Sequence, residues 1–130
     1  MLDAMTVLRD YLLTQAALTA LVGTRIIRES AVPAQGWKPS DGACVCLSSR
    51  GGAFDGSDAM QVMPVQITAW GRDVQEAQQI YRLVVDVLDD AHNGDLRHAY
   101  LEALGQTVRQ ADTGWPYVMS GFRIKVRREE

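Results

Sequence analysis

The chain has 130 residues, 47% hydrophobic and 22% charged, with a formal net charge of −3. That length suits one domain with its own core, and the composition excludes a disordered chain. No apolar run approaches the ~20 residues of a membrane span, and the acidic balance gives no general pull toward nucleic acid.

Taken in chain order, residues 3–22 read as helix, because Met5, Leu8 and Leu12 fall on one face of a 3.6-residue period. The start, MLDAMTVLRDYLL, carries Asp3 and no basic leader, so it does not read as a signal peptide, and a cytosolic setting is expected. Thr14 offers a cap at which the helix restarts, and Gly23 offers its stop. TRIIRE is β-prone, and residues 31–42, with two prolines and two glycines, read as a loop.

ACVCLSS reads as a strand. On it Cys44 and Cys46 share a face about 6.6 Å apart, at ~3.3 Å rise per residue. Parallel side chains would strain a disulfide, so two buried, reduced thiols are expected. A metal site using them with His92 and His98 does not fit the usual zinc spacings. Residues 50–59 form a polar, glycine-rich loop, with Arg50, Gly51, Gly52, Phe54 and Asp55 as candidates for contacting a neighbour.

MQVMPVQITAW, residues 60–70, is the next strand, with Met63, Val65, Ile67 and Ala69 on one apolar face. It pairs with ACVCLSS as a long-looped hairpin, and Pro64 suits an edge strand or a bulge. Residues 73–90 give the clearest helix. Val74, Ala77, Tyr81, Val84 and Leu88 form its stripe, widened by Ile80 and Val87. HNGD, residues 92–95, breaks the pattern. AYLEALGQTVRQ and PYVMSGFRIKVR then read as two strands joined by ADTGW.

The predicted class is a single α+β domain over 1–130, in the order α-(β)-β-β-α-β-β. Two helices would pack on one face of a mainly antiparallel sheet of about four strands. The opposite face would carry Cys44, Cys46, Val62, Pro64, Trp70, Tyr117 and Met119. That set is too apolar for open solvent and marks an interaction face, unless a loop packs over it.

Chemistry is hard to find. The strand–Gly71–helix join is neither of the glycine-rich phosphate motifs, and a single glycine cannot form a nest of amides. Asp73 and Glu76 instead spell a capping box, and their charges occupy the helix end that an anion would need. There is no G-x-S-x-G, and the serines have no histidine nearby in sequence. The chain therefore reads as no enzyme, with no cofactor. Arg123, Lys125 and Arg127 form a basic ridge at period two. It reads as a solvated strand face or as a surface near phosphates.

Together, ALTALVGTRII, the run VQITAWGRDVQEAQQIYRLVVDVL and DTGWPY resemble one family. It is the tail-completion, or tail-terminator, proteins of long-tailed bacteriophages and their prophage and gene-transfer relatives. The resemblance covers nearly the whole chain. The chain departs from the pattern at DGACVCL, where such proteins often have a proline and an aromatic.

The resemblance implies a homo-oligomeric ring, typically a hexamer, in the tail-neck region of a virion assembled in the bacterial host cytoplasm. Its partners would be the tail tube protein and the head-tail connector protein. DNA would only pass through the lumen, which Arg123, Lys125 and Arg127 could face, and no membrane would be involved. The residues alone leave a rival open: a cytosolic α+β module that binds a ligand or nucleic acid on the same sheet face.

Overall fold

A computed structural model describes residues 3–49, 53–54 and 60–127. The chain begins with α1 (Ala4–Leu13), capped by the Asp3 carboxylate, which accepts from the Met5 amide at 3.1 Å. Its buried side is Ala4, Met5, Leu8 and Leu12. A second helix, α2 (Ala16–Val22), follows, so the expected single first helix is two. Thr14 does not cap α2. Its hydroxyl donates backward to the Tyr11 carbonyl at 2.6 Å and closes α1, which breaks the helix one residue before Gln15. Gly23 ends α2 at φ 58°, a conformation that costs glycine little.

Next come β1 (Ile26–Arg28), a 3-10 turn (Pro39–Asp41), β2 (Cys44–Ser49), β3 (Ala53–Phe54) and β4 (Met60–Trp70). The third helix, α3 (Val74–Leu88), precedes β5 (Ala91–Asn93), β6 (Leu96–Arg109) and β7 (Pro116–Arg127). The sheet runs β1-β2-β4-β7-β6-β5, with β3 beside β4. The α+β class is as expected, but among the described residues three α-helices and six strands on the main path replace two helices and about four strands. The sheet is mixed, because β1 lies parallel to β2.

Both predicted hairpins form. β2 pairs antiparallel with β4, and β6 with β7. HNGD is not a simple break: Asn93 pairs with Leu96 across Gly94, at φ 59°, to make a further hairpin. Pro64 lies in the middle of the sheet, not at its edge, with Arg123 opposite it on β7. Among the described residues the β2 pairing runs to Val65 and the β3 pairing begins at Val62.

The three helices cover one face. Leu8, Leu12, Leu18 and Val22 meet Val45, Leu47, Val65, Ile67, Phe122, Ile124 and Val126, with Ile80, Val84 and Leu88 of α3. The α3 stripe centres on Ala77, Ile80, Val84 and Leu88, with Val74 and Tyr81 only half-buried at its margins. Tyr81 also ties the helix to the sheet, since its hydroxyl accepts from the Gly105 amide at 2.8 Å. A Cβ on Gly105 would come within 2.6 Å of the Tyr81 ring, so glycine lets β6 lie against α3 there.

Candidate functional site

The face without helices is built by alternation along β2, β4 and β7. Register sets Cys44 beside Trp70 and Trp70 beside Tyr117, then Cys46, Thr68 and Met119 in the next row. Further along, Pro64 faces Arg123 and Val62 faces Lys125. The seven residues expected on this face therefore do share it.

They do not share an environment. Cys44, Cys46 and Trp70 are fully buried, covered by Ile27, Trp37, Trp115 and Tyr117. Trp37 meets Trp70 edge-on at 6.2 Å between centroids and Trp115 at 5.5 Å, while Trp70 lies over Tyr117 at 4.5 Å. Trp37 and Trp70 each have a polar anchor. Trp37 Nε1 donates to the Gly42 carbonyl at 2.9 Å, and Trp70 Nε1 to the Ala31 carbonyl at 3.3 Å. The loop 31–42 thus closes over the strands, held from below by Arg25, whose Nε donates to the Ala43 carbonyl at 2.9 Å. Glycine is favoured at Gly42 by its φ of 112°, and its missing side chain leaves room for the Arg25 guanidinium. The expected open face is corrected at this end: the chain covers Cys44, Cys46 and Trp70 itself. Tyr117, Met119, Val62 and Pro64 remain half-buried.

The two cysteines are free thiols with their sulfurs 3.8 Å apart. The hydrogen bond with Cys44, reinforced by burial, pushes the Cys46 thiol up, so it stays protonated and unreactive. His92 is exposed on β5, and His98 Nε2 meets Asp90 Oδ1 at 3.0 Å. Among the described residues no group of three potential ligands could hold a metal ion. Thr68 Oγ1, buried between the cysteine row and Met119, has no hydrogen-bond partner among the described residues.

The basic ridge is largely neutralised. Arg123 forks onto Glu102 at 2.5 and 3.3 Å, and Arg127 Nε donates to Asp95 at 2.8 Å. Glu102 holds the Arg123 guanidinium above its ordinary range by hydrogen bond and charge. Two members of the expected basic ridge, Arg123 and Arg127, thus carry an ion pair within the chain. Lys125 stands between them, half-buried. Arg50, Gly51, Gly52 and Asp55, expected to contact a neighbour, lie outside the described residues. Phe54 is placed only as part of β3, paired with Gln61.

The strand–glycine–helix join is a capped corner. Asp73 accepts from the Glu76 amide at 2.8 Å, while the Glu76 carboxylate reaches one residue beyond expectation to the Arg72 amide at 3.0 Å. A Cβ on Gly71 would lie 2.7 Å from the Ala77 nitrogen, so the glycine serves close packing. The two carboxylates fill the helix end that a phosphate would need.

Sequence reasoning missed Trp37, Trp115, Glu102 and Asp95. One signal was available for the tryptophans. Two loop indoles beside prolines, in GWKP and GWPY, need apolar cover, and the apolar sheet face supplies it.

Residues 6–127 match the family model described as tail completion protein gp17. Among solved structures, the chain resembles one titled "Virion of native gene transfer agent (GTA) particle". The TM-score is 0.67 and the identity 24%, over 98% of this chain and 100% of that one. At that identity the likeness bears on the fold. No curated protein matches the chain.

Proposed function

The chain belongs to the tail completion protein gp17 family, and on that premise we propose that it is a non-enzymatic structural protein of a phage-like particle. Copies assemble into a ring, six in number, on the end of the tail tube. The ring stops tube growth and presents the surface on which the head-tail connector docks. It sits in the neck of the virion, built in the host cytoplasm, and DNA passes through its lumen.

The family match over residues 6–127 carries this reading. The geometry supports it. A ring needs two different patches that meet head to tail. The helix-free face keeps Val62, Pro64 and Met119 half-buried beyond the indole seal, with Tyr117 half-buried within it. The outer side of β6 beyond Ala99 has no strand beside it among the described residues. Both are candidate contact surfaces. The rival, a ligand- or nucleic-acid-binding module, finds less support. The indole seal occupies the most apolar part of the face, and Arg123 and Arg127 are already paired with carboxylates.

Light scattering with negative-stain imaging, on the chain alone and with tail tube protein, tests the proposal. Closed rings, free or seated on tube ends, are expected. A strict monomer that does not bind tubes contradicts it.

A further inference from the structure

The sheet carries two nucleophilic side chains that ring assembly does not use. Cys44 and Cys46 are free thiols, fully buried, with their sulfurs 3.8 Å apart. Strand alternation sends both side chains to the same face of β2, so the pair is preset by the backbone.

Two further observations bear on what the pair can hold. Thr68 lies directly across from Cys46 on β4, and its buried Oγ1 has no hydrogen-bond partner among the described residues. A thiol sulfur is a weak acceptor for that hydroxyl, and a thiolate is a strong one. Arg25 is held beside the pair, its Nε donating to the Ala43 carbonyl at 2.9 Å, and its charge favours the thiolate form of Cys44. Among the described residues no third carboxylate, imidazole or thiol joins the two sulfurs. Their cover is Ile27, Trp37, Trp115 and Tyr117.

We propose that Cys44 and Cys46 hold one soft, two-coordinate metal ion of the copper(I) class beneath the indole seal, with the Thr68 hydroxyl donating to the Cys46 sulfur. Two metal–sulfur bonds form, the two thiol protons leave to solvent, and no electron is transferred. One monovalent ion on two thiolates leaves a single net negative charge, which the Arg25 guanidinium offsets. Thiolates select soft ions, whereas a structural zinc needs two more ligands than the pair offers. At ~2.3 Å per metal–sulfur bond a linear arrangement spans roughly 4.6 Å, so the sulfurs part by less than ~1 Å to admit the ion. The metal-free pair keeps its protons, so the ion enters when Trp37 swings aside or is captured as the chain folds. The site is independent of the ring reading.

The test uses the full chain, reduced and free of oxygen, with Cu(I) supplied from a weak chelator either to the folded chain or during refolding. One ion per chain is expected after desalting, with two protons released per ion. X-ray absorption on the natural chain should show two sulfur neighbours, a readout that needs no variant. Cys44→Ser and Cys46→Ser should each weaken binding by ~100-fold, and Thr68→Val by about tenfold. Trp37→Ala should speed loading of the folded chain and still take one ion. Copper retained equally by the chain with both cysteines changed to serine is adventitious and overturns the site. So does the absence of bound copper after refolding with the ion, binding that survives loss of either cysteine, or displacement of the copper by equimolar Zn(II).

Discussion

The helix-free face of the sheet has two ends that look alike in sequence and differ in the folded chain. At one end Cys44, Cys46 and Trp70 vanish beneath Trp37 and Trp115. At the other, Val62 and Pro64 lie beside Lys125 and Arg123, with neither indole over them. Apolar character alone therefore does not separate a second small core from an interaction surface. What separates them is whether a loop of the same chain carries aromatic side chains of matching reach. The sealed end is a matter of stability, and the proposed contact surface lies at the other.

Substitutions can break or sharpen that contrast. The largest effect is expected for Trp70→Ala, the biggest fully buried side chain, which should cost ~3–5 kcal/mol in chemical denaturation. Trp37→Ala should cost less, about 2–3 kcal/mol, because Trp37 is only half-buried. It should also open the thiols. Cys44 and Cys46 should resist a thiol reagent in the natural chain and react in the Trp37→Ala variant under native conditions. Rapid labelling of the natural chain would mean that the seal is loose.

At the uncovered end the pattern should reverse. Val62→Thr should cost only about 0.5–1 kcal/mol in unfolding yet weaken ring formation measured by light scattering. Unchanged assembly would remove Val62 from the contact surface. Smallest of all, Arg123→Gln should leave the denaturation midpoint within experimental error, because the Glu102 pair is exposed to solvent.

Local pattern explains what the sequence made legible. The α3 helix and its Asp73 cap, the two long hairpins and the assignment of strand faces all follow from periods of 3.6 and 2 within one segment. The seven face residues also fell where alternation put them. What escaped depends on contacts between distant segments. Arg123 finds Glu102 21 residues away, and Trp70 finds the Ala31 carbonyl 39 residues away. No periodicity encodes such pairs. TRIIRE was legible as β-prone and holds β1, but its parallel place beside β2 was not, and the three-residue β5 is too short to show alternation. Thr14 illustrates a local failure: its hydroxyl serves equally well to start a helix or to close one, and it closes α1.

The central claim is that this chain acts by ending a tube. The direct measurement is the length distribution of tail tubes, read by electron microscopy, as tube protein polymerises with and without the chain. The account predicts shorter, uniform tubes with a ring at one end when the chain is present from the start. Tubes that grow to the same lengths with bare ends would contradict it.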